Sequence, residues 1–317
     1  MNYRLFTLSN SNSMDRYKKI ILKVFSIFSV VRLHNIFLVV LAQYLTSIFI
    51  LAHEKPILNV LFDPTLLIII MSTVGVIASG YIINNFYDQE KDLINRPSKL
   101  SLDLIISQNT KLSIYFLLNT FVLLLSFIVS IKAGLFFGSY MFFIWFYSHK
   151  IKKLPIIGNL TSALLSVIPF FAILLYFKNY NLLIFIFGFY LFLILAIKEL
   201  IKSLKNIRGD FALNYKTVAV VYGEFATKMM ITILTFINSI VSSILIFYFD
   251  LKLMYSFFVG ASLYLIILLI FVWKLNRQKD YNLIHNLLKF LILIGVLSII
   301  LLDPQLILSK IFIVALD

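Results

Sequence analysis

The sequence contains no cysteine and few proline, glycine or acidic residues. Without cysteine there are no disulfides, no thiolate nucleophile and no thiolate metal site, so any metal must be held by oxygen or imidazole ligands. With only 6 Pro and 10 Gly in 317 residues, no Pro- or Gly-rich linker divides the chain. We therefore expect a single domain over residues 1–317.

Apolar residues, in contrast, are abundant: 61% of the chain is hydrophobic and 13% is charged. A helix needs about 20 apolar residues to cross the hydrocarbon core of a membrane. Runs of this kind, the last interrupted by Lys289, lie at residues 33–53, 64–87, 112–131, 133–149, 154–177, 179–197, 229–249, 253–273 and 284–302. The sequence thus predicts an all-α, polytopic membrane protein with about nine transmembrane helices.

The membrane topology accounts for most of the net charge of +14. Lys and Arg are concentrated in alternate loops, and such residues stay on the cytoplasmic side of a membrane. We therefore expect a cytoplasmic N-terminal segment over residues 1–24, cytoplasmic loops at 88–111, 150–153 and 202–228, and an external C-terminus. Because the sequence has no groove-reading or base-stacking module, we expect membrane lipids and no nucleic acid as partners.

Acidic and amide side chains appear where the second apolar run ends, in the stretch NNFYDQEKDLINRP. Asn84, Asp88 and Asp92 follow at intervals of four residues, which predicts one helical stripe with neighbours about 6 Å apart. Oxygen ligands so spaced suit Mg²⁺, which usually binds one or two carboxylates plus the phosphates of a substrate. Arg96 and Lys99 come next and can bind the same phosphates.

Charges at a helix end are often no more than solvated interface residues. Here, however, Asn84 and Asn85 lie within or just below an apolar run, where polar groups are costly and usually functional. A second long polar loop, at residues 202–228, follows the sixth run and reaches the same membrane face. These features favour a functional site at that face.

The stretch resembles the first signature of the UbiA superfamily of intramembrane prenyltransferases, NDxxDxxxD followed by a loop containing RP. The one difference is Asn85, where the family usually has Asp. Similar segments are RLHN, YSHKIKKLPIIGN and KELIKSLKNIRGDFALNYKTVAVVYG, at residues 32–35, 147–159 and 198–223. The last is most similar to the geranylgeranylglyceryl-phosphate synthase-like branch.

The resemblance implies nine helices around a central cavity that opens to lipid, and Mg²⁺-dependent transfer of a polyprenyl group from a polyprenyl diphosphate to a lipid or aromatic acceptor. No obligate protein partner is implied. The expected catalytic and metal-binding residues are Asp88, Asp92 and Asp210. The expected substrate-binding residues are Asn35, Asn84, Arg96, Lys99, Lys152, Asn159, Lys202 and Asn206.

The second motif departs from the family pattern. Ser203 and Asn206 stand where the family usually has Asp, and only Glu199 and Asp210 keep a negative charge. Lysines of this segment can then supply counter-charge in place of a metal ion. The extra cations of this segment, Lys205 and Arg208, suit a phosphorylated acceptor such as a geranylgeranylglyceryl phosphate.

Three alternatives to a lipid prenyltransferase stay open at this point. An aromatic prenyltransferase that makes a quinone precursor would share the donor site. A non-catalytic prenyl-lipid-binding relative would tolerate the altered second motif. A secondary transporter would need broken helices at mid-membrane, and the sequence shows no such Gly/Pro-broken pair.

Overall fold

A computed structural model describes residues 16–97, 103–275 and 277–304, and this part of the chain is helical without strands. The helices are α1 (Arg16–Val31), α2 (Leu33–Thr46), α3 (Ile57–Leu61), α4 (Pro64–Asn95), α5 (Gln108–Val129), α6 (Ile131–His149), α7 (Ile157–Phe177), α8 (Leu182–Ala212), α9 (Val218–Val221), α10 (Gly223–Tyr248), α11 (Tyr255–Lys274) and α12 (Gln278–Ser298). A π-helical segment, Ser47–Leu51, continues α2, and 3₁₀ turns span Ile151–Lys153, Lys252–Met254 and Ile299–Leu302.

Each of the nine predicted apolar runs overlaps one of these helices, which confirms the prediction of a helical, multi-pass membrane protein. Eight helical segments of the described chain are long and apolar enough to cross a membrane. The run at residues 133–149 corresponds to α6, which has 19 residues and is made less apolar by its Gly, Ser and Tyr side chains. Helix α1 was not predicted, because its first half is basic and the sequence was read there as a polar segment ending at residue 24.

Helices α4 and α8 form the centre of the bundle. About two thirds of the apolar window of each is buried (67% and 61%), compared with 17–39% for the other candidate spans. They have 32 and 31 residues, so each is about 48 Å long and exceeds the ~30 Å hydrocarbon core. Their C-terminal ends, which carry the two polar motifs, therefore project beyond the core on the same side.

A proline inside α7 is compensated by neighbouring helices. Pro169 has no N–H, so the carbonyl of Leu165 lacks its helical donor, and the Tyr140 hydroxyl donates to that carbonyl at 2.9 Å. The Gln43 amide donates to the Pro169 carbonyl at 2.9 Å and to the Thr73 hydroxyl at 3.2 Å. Since the membrane interior offers no water, these bonds stabilise the packing of α2, α4, α6 and α7.

Small residues allow α4 to approach α5 closely. A Cβ atom added at Gly75 would collide with Cγ2 of Val122, which is fully buried. Membrane helices commonly pack through such small residues, because dispersion contacts replace the hydrophobic effect in lipid.

We predict that Gly75→Ala lowers the free energy of unfolding by about 1–3 kcal/mol through overpacking, measured by thermal unfolding in detergent. Adding Val122→Ala should restore most of the loss. Gly260→Ala, where a Cβ meets nothing within 4 Å, is the control, and an equal loss there would show that the α4–α5 contact is not responsible.

Candidate active site

A large cavity of about 1200 Å³ runs through the bundle between α2, α4, α6, α7, α8 and α12. It exceeds the ~300–1,000 Å³ usual for pockets that hold drug-sized ligands. Its lining on α8 extends from Phe187 to Asp210, a rise of about 35 Å. Phe37 of α2 and Phe290 of α12 line it and are both more than half exposed.

The two ends of the cavity differ in polarity. One end is lined by apolar side chains, among them Ile50, Ile173, Phe187, Ile194, Met254 and Phe258. The other end carries the charged lining residues of the described chain, three acidic and eight basic: Asp88, Glu199, Asp210, Arg32, Lys91, Arg96, Lys152, Lys198, Lys202, Lys205 and Lys289. The polar end is therefore a site for anions, continuous with a channel for hydrocarbon.

The first motif places Asp88 inside this polar end. Lys152, from the 3₁₀ turn after α6, donates to Asp88 Oδ1 at 2.8 Å, and the Asn84 amide donates to Asp88 Oδ2 at 2.9 Å. Burial lowers the pKa of the Lys152 ammonium from its usual value, and the charge of Asp88 opposes this shift. Asn84 and Lys152, predicted from two separate segments, thus meet at the carboxylate of Asp88.

Lys91 connects the two motif helices. Its Nζ lies 3.7 Å from Asp88 Oδ1 and 3.2 Å from Asp210 Oδ1, and 4.8 Å from the ring centre of Tyr215. Burial and the charge of Asp88 raise the pKa of Tyr215 to about 12, so its ring faces the ammonium as a neutral phenol. The sequence analysis missed Lys91.

In the second motif, Glu199 is paired with a lysine of its own helix. Lys202 donates to Glu199 Oε2 at 2.7 Å. Asn159 donates to the Glu199 carbonyl at 3.0 Å and to the Ser203 hydroxyl at 2.9 Å, which fixes the start of α7 against α8. Asn206 lines the cavity, and its buried Oδ1 accepts no hydrogen bond from the described residues, so it can serve as an oxygen ligand.

The remaining predicted residues are placed as follows. Asn35 and Arg96 both line the cavity, and the Asn35 amide donates to the Tyr81 hydroxyl at 3.0 Å. Lys99 lies outside the described residues. Asp92 is partly buried but is not part of the cavity lining.

The face of α4 that lines the cavity includes Asn84, Asp88 and Lys91 but not Asp92, so the predicted metal role of Asp92 stays a prediction. At 100° per residue, a position eight residues after Asn84 is turned by about 80° from it, whereas Lys91, seven residues after, is turned by only about 20°. The helical face that points into the cavity thus carries Lys91 in place of Asp92. This periodicity is the signal by which the sequence could have revealed Lys91.

Comparison with known proteins agrees with this geometry. The model of the UbiA prenyltransferase family matches residues 37–310. The chain belongs to the UbiA prenyltransferase family. It is accordingly a UbiA-type prenyltransferase, and the sequence resemblance noted above is confirmed.

Curated relatives and solved structures are similar to this UbiA chain over most of its length. Digeranylgeranylglyceryl phosphate synthase of Sulfurisphaera tokodaii is 30% identical over 262 residues, 80% of this chain and 88% of that protein. The enzyme of the same name from Methanosphaera stadtmanae is 29% identical over 215 residues, 67% and 77% of the two chains. A UbiA homolog from Archaeoglobus fulgidus bound to GPP and Mg²⁺ shares the fold, with a TM-score of 0.68 at 16% identity. The match covers 87% of this chain and 99% of that chain.

The departure of this UbiA chain from the family signature at Asn85 has a structural reason. The Asn85 amide donates to Asp103 Oδ2 at 3.0 Å and accepts from Lys111 Nζ at 2.9 Å, while the Ser29 hydroxyl donates to Asp103 Oδ1 at 3.1 Å. Asn85, Asp103 and Lys111 are buried, and Asn85 does not line the cavity. An aspartate at this position would face the carboxylate of Asp103.

We predict that Asn85→Asp lowers the free energy of unfolding by about 1–3 kcal/mol, because a buried hydrogen bond is replaced by repulsion between two carboxylates. Thermal unfolding in detergent at neutral pH measures the loss. The exchange Asn85→Asp with Asp103→Asn keeps one acid and one amide and should recover most of it. Wild-type stability of Asn85→Asp alone would mean that this side chain points elsewhere.

Proposed function

We propose that this UbiA protein transfers a polyprenyl group from a polyprenyl diphosphate to a phosphorylated lipid acceptor of the geranylgeranylglyceryl phosphate type, with Mg²⁺. One observation carries the proposal: a strongly basic end and an apolar channel are continuous in one cavity whose lining rises about 35 Å along α8. The volume of about 1200 Å³ suits two lipid-like chains better than a small aromatic acceptor. The names of the curated relatives support the same assignment.

Residues suited to Mg²⁺ are present at the polar end. Asp88 and Asp210, on facing helices, both lie within 4 Å of the Lys91 ammonium, so the two carboxylates face the same part of the cavity. Asn206 adds an unpartnered, buried oxygen. We propose that these three would hold the ion, which when bound would neutralise charge on the leaving diphosphate. The predicted metal role of Asp92 stays a prediction.

The lysines and arginines near this position are proposed to bind the diphosphate of the donor. Lys152 and Lys202 each already bind a carboxylate of the site, so their ammonium groups are held in place. Arg96 lines the same space. Such preorganised donors stabilise negative charge that develops on a leaving group, and the apolar channel keeps water away from an allylic cation.

A second set of cations is proposed to bind the phosphate of the acceptor. Arg32, Lys198, Lys205 and Lys289 come from three different segments of the chain, line the cavity and lie near enough to influence one another's charge. Four like charges repel one another, so a bound anion would offset that repulsion. We also propose that this end faces the cytoplasm, as the basic loops indicate.

The proposed function can be tested with purified protein, geranylgeranyl diphosphate, Mg²⁺ and geranylgeranylglyceryl phosphate. Release of pyrophosphate together with a prenylated lipid product in the mass spectrum is expected. 4-Hydroxybenzoate in place of the lipid tests the aromatic alternative. No product with either acceptor would favour a non-catalytic, prenyl-lipid-binding role.

We predict that Asp88→Asn and Asp210→Asn each lower the rate of prenyl transfer about 10²-fold or more, because each removes charge that holds the ion at the leaving group. Initial rates at saturating substrate measure this. Asp303→Asn removes a carboxylate that pairs with Lys252 outside the cavity and should leave the rate unchanged. Normal turnover of both cavity variants would refute their assignment.

We predict that Lys205→Met raises the KM for the phosphorylated acceptor about tenfold or more while the KM for the donor changes little, because a charged hydrogen bond contributes about 1.5–3 kcal/mol. Lys216→Met, at an exposed lysine outside the cavity lining, is the control. An effect on the donor KM alone would place Lys205 at the diphosphate.

A further inference from the structure

Lys91 occupies the position between the two acidic motifs. Its ammonium lies within 4 Å of one carboxylate oxygen of Asp88 and one of Asp210, and its side chain is only 12% exposed. The ring of Tyr215 covers it at 4.8 Å. A buried lysine is tolerated when it is paired, and here two acids from two helices share it.

The charges around Lys91 leave little room for a second divalent ion. In the second motif, Ser203 and Asn206 are uncharged, and Glu199 already pairs with Lys202 at 2.7 Å. Within the described residues, no three His, Asp or Glu side chains come together closely enough to hold a metal ion. Asp88 and Asp210 are therefore the available carboxylates, and Lys91 already contributes one positive charge to both.

We propose that Lys91 is a built-in counter-ion that replaces one divalent ion at the diphosphate, so that the protein binds its donor with a single Mg²⁺. This inference rests on the proposed function. The ammonium donates hydrogen bonds to phosphate oxygens and is fixed by the two aspartates, so it supplies part of the charge that a second ion would otherwise supply.

A purely structural ion pair is the competing explanation for Lys91. It would link α4 to α8 in the same geometry, and its loss would lower stability. It would not change the number of ions bound or the affinity for a diphosphate in the absence of divalent ions. Those two quantities therefore distinguish the explanations without any measurement of turnover.

The number of ions is measured with Mn²⁺, which shares the oxygen preference of Mg²⁺, by electron paramagnetic resonance in the presence of methylenediphosphonate. Wild-type protein should bind one Mn²⁺ per chain, and two would overturn the role of Lys91. If methylenediphosphonate does not bind at all, the proposed function is contradicted and the inference about Lys91 with it.

Variants of Lys91 complete the test. Lys91→Met should bind two Mn²⁺ and should lose at least tenfold in affinity for methylenediphosphonate without divalent ions, while Lys91→Arg keeps the charge and should bind one. Lys153→Met is the matched control, because Lys153 is exposed and also contacts the Tyr215 ring, at 5.1 Å, but is not among the cavity-lining residues. One ion and unchanged affinity in Lys91→Met would leave only the structural role. If Lys91→Met does not fold, the wild-type count decides.

Discussion

The approach of α4 to α8 at the polar end of the cavity is the constraint on which the site depends. Each helix brings carboxylates into a buried position, where an uncompensated charge is strongly destabilising. Lys91, Lys152 and Lys202 supply the compensation. The backbone also contributes, because the Gly209 N–H donates to Asn95 Oδ1 at 3.3 Å, in a space that a Cβ at Gly209 would fill. Charge pairs and close backbone packing therefore hold the two motif helices together.

The excess of cations over carboxylates determines what the cavity accepts. With eight basic side chains against three acidic ones, this end has a net positive charge, and burial strengthens the repulsion among like charges when no anion is bound. The same cavity continues into an apolar channel, which favours a hydrocarbon chain over a polar ligand. A molecule with a phosphate or diphosphate head and an isoprenoid tail satisfies both halves, which is why the geometry and the family assignment agree.

Much of this arrangement was predictable from the sequence, and the limits have physical causes. Helix positions follow from the length of apolar runs, and the grouping of Asn84, Asp88, Lys152 and Asp210 was expected from motif resemblance. The turning of Asp92 out of the cavity was not foreseen, because the four-residue spacing was treated as a straight stripe. The partner of Asn85 was not foreseen either, since its hydrogen bond to Asp103 joins residues 18 positions apart across a loop whose path the sequence does not specify.

Two residues of α4, Asn85 and Lys91, show that the number of differences from a signature sequence does not measure how far the site has changed. Asn85 follows Asn84 by one residue, so it is turned by about 100° from the cavity direction, whereas Lys91 is turned by about 20°. Exchange of Asp for Asn at position 85 thus leaves the charge of the cavity unchanged and serves packing against Asp103 and Lys111. A lysine at position 91 adds a positive charge to the cavity itself. The residue that differs from the signature thus lies outside the cavity, whereas a residue that the signature does not specify changes the charge of the cavity itself.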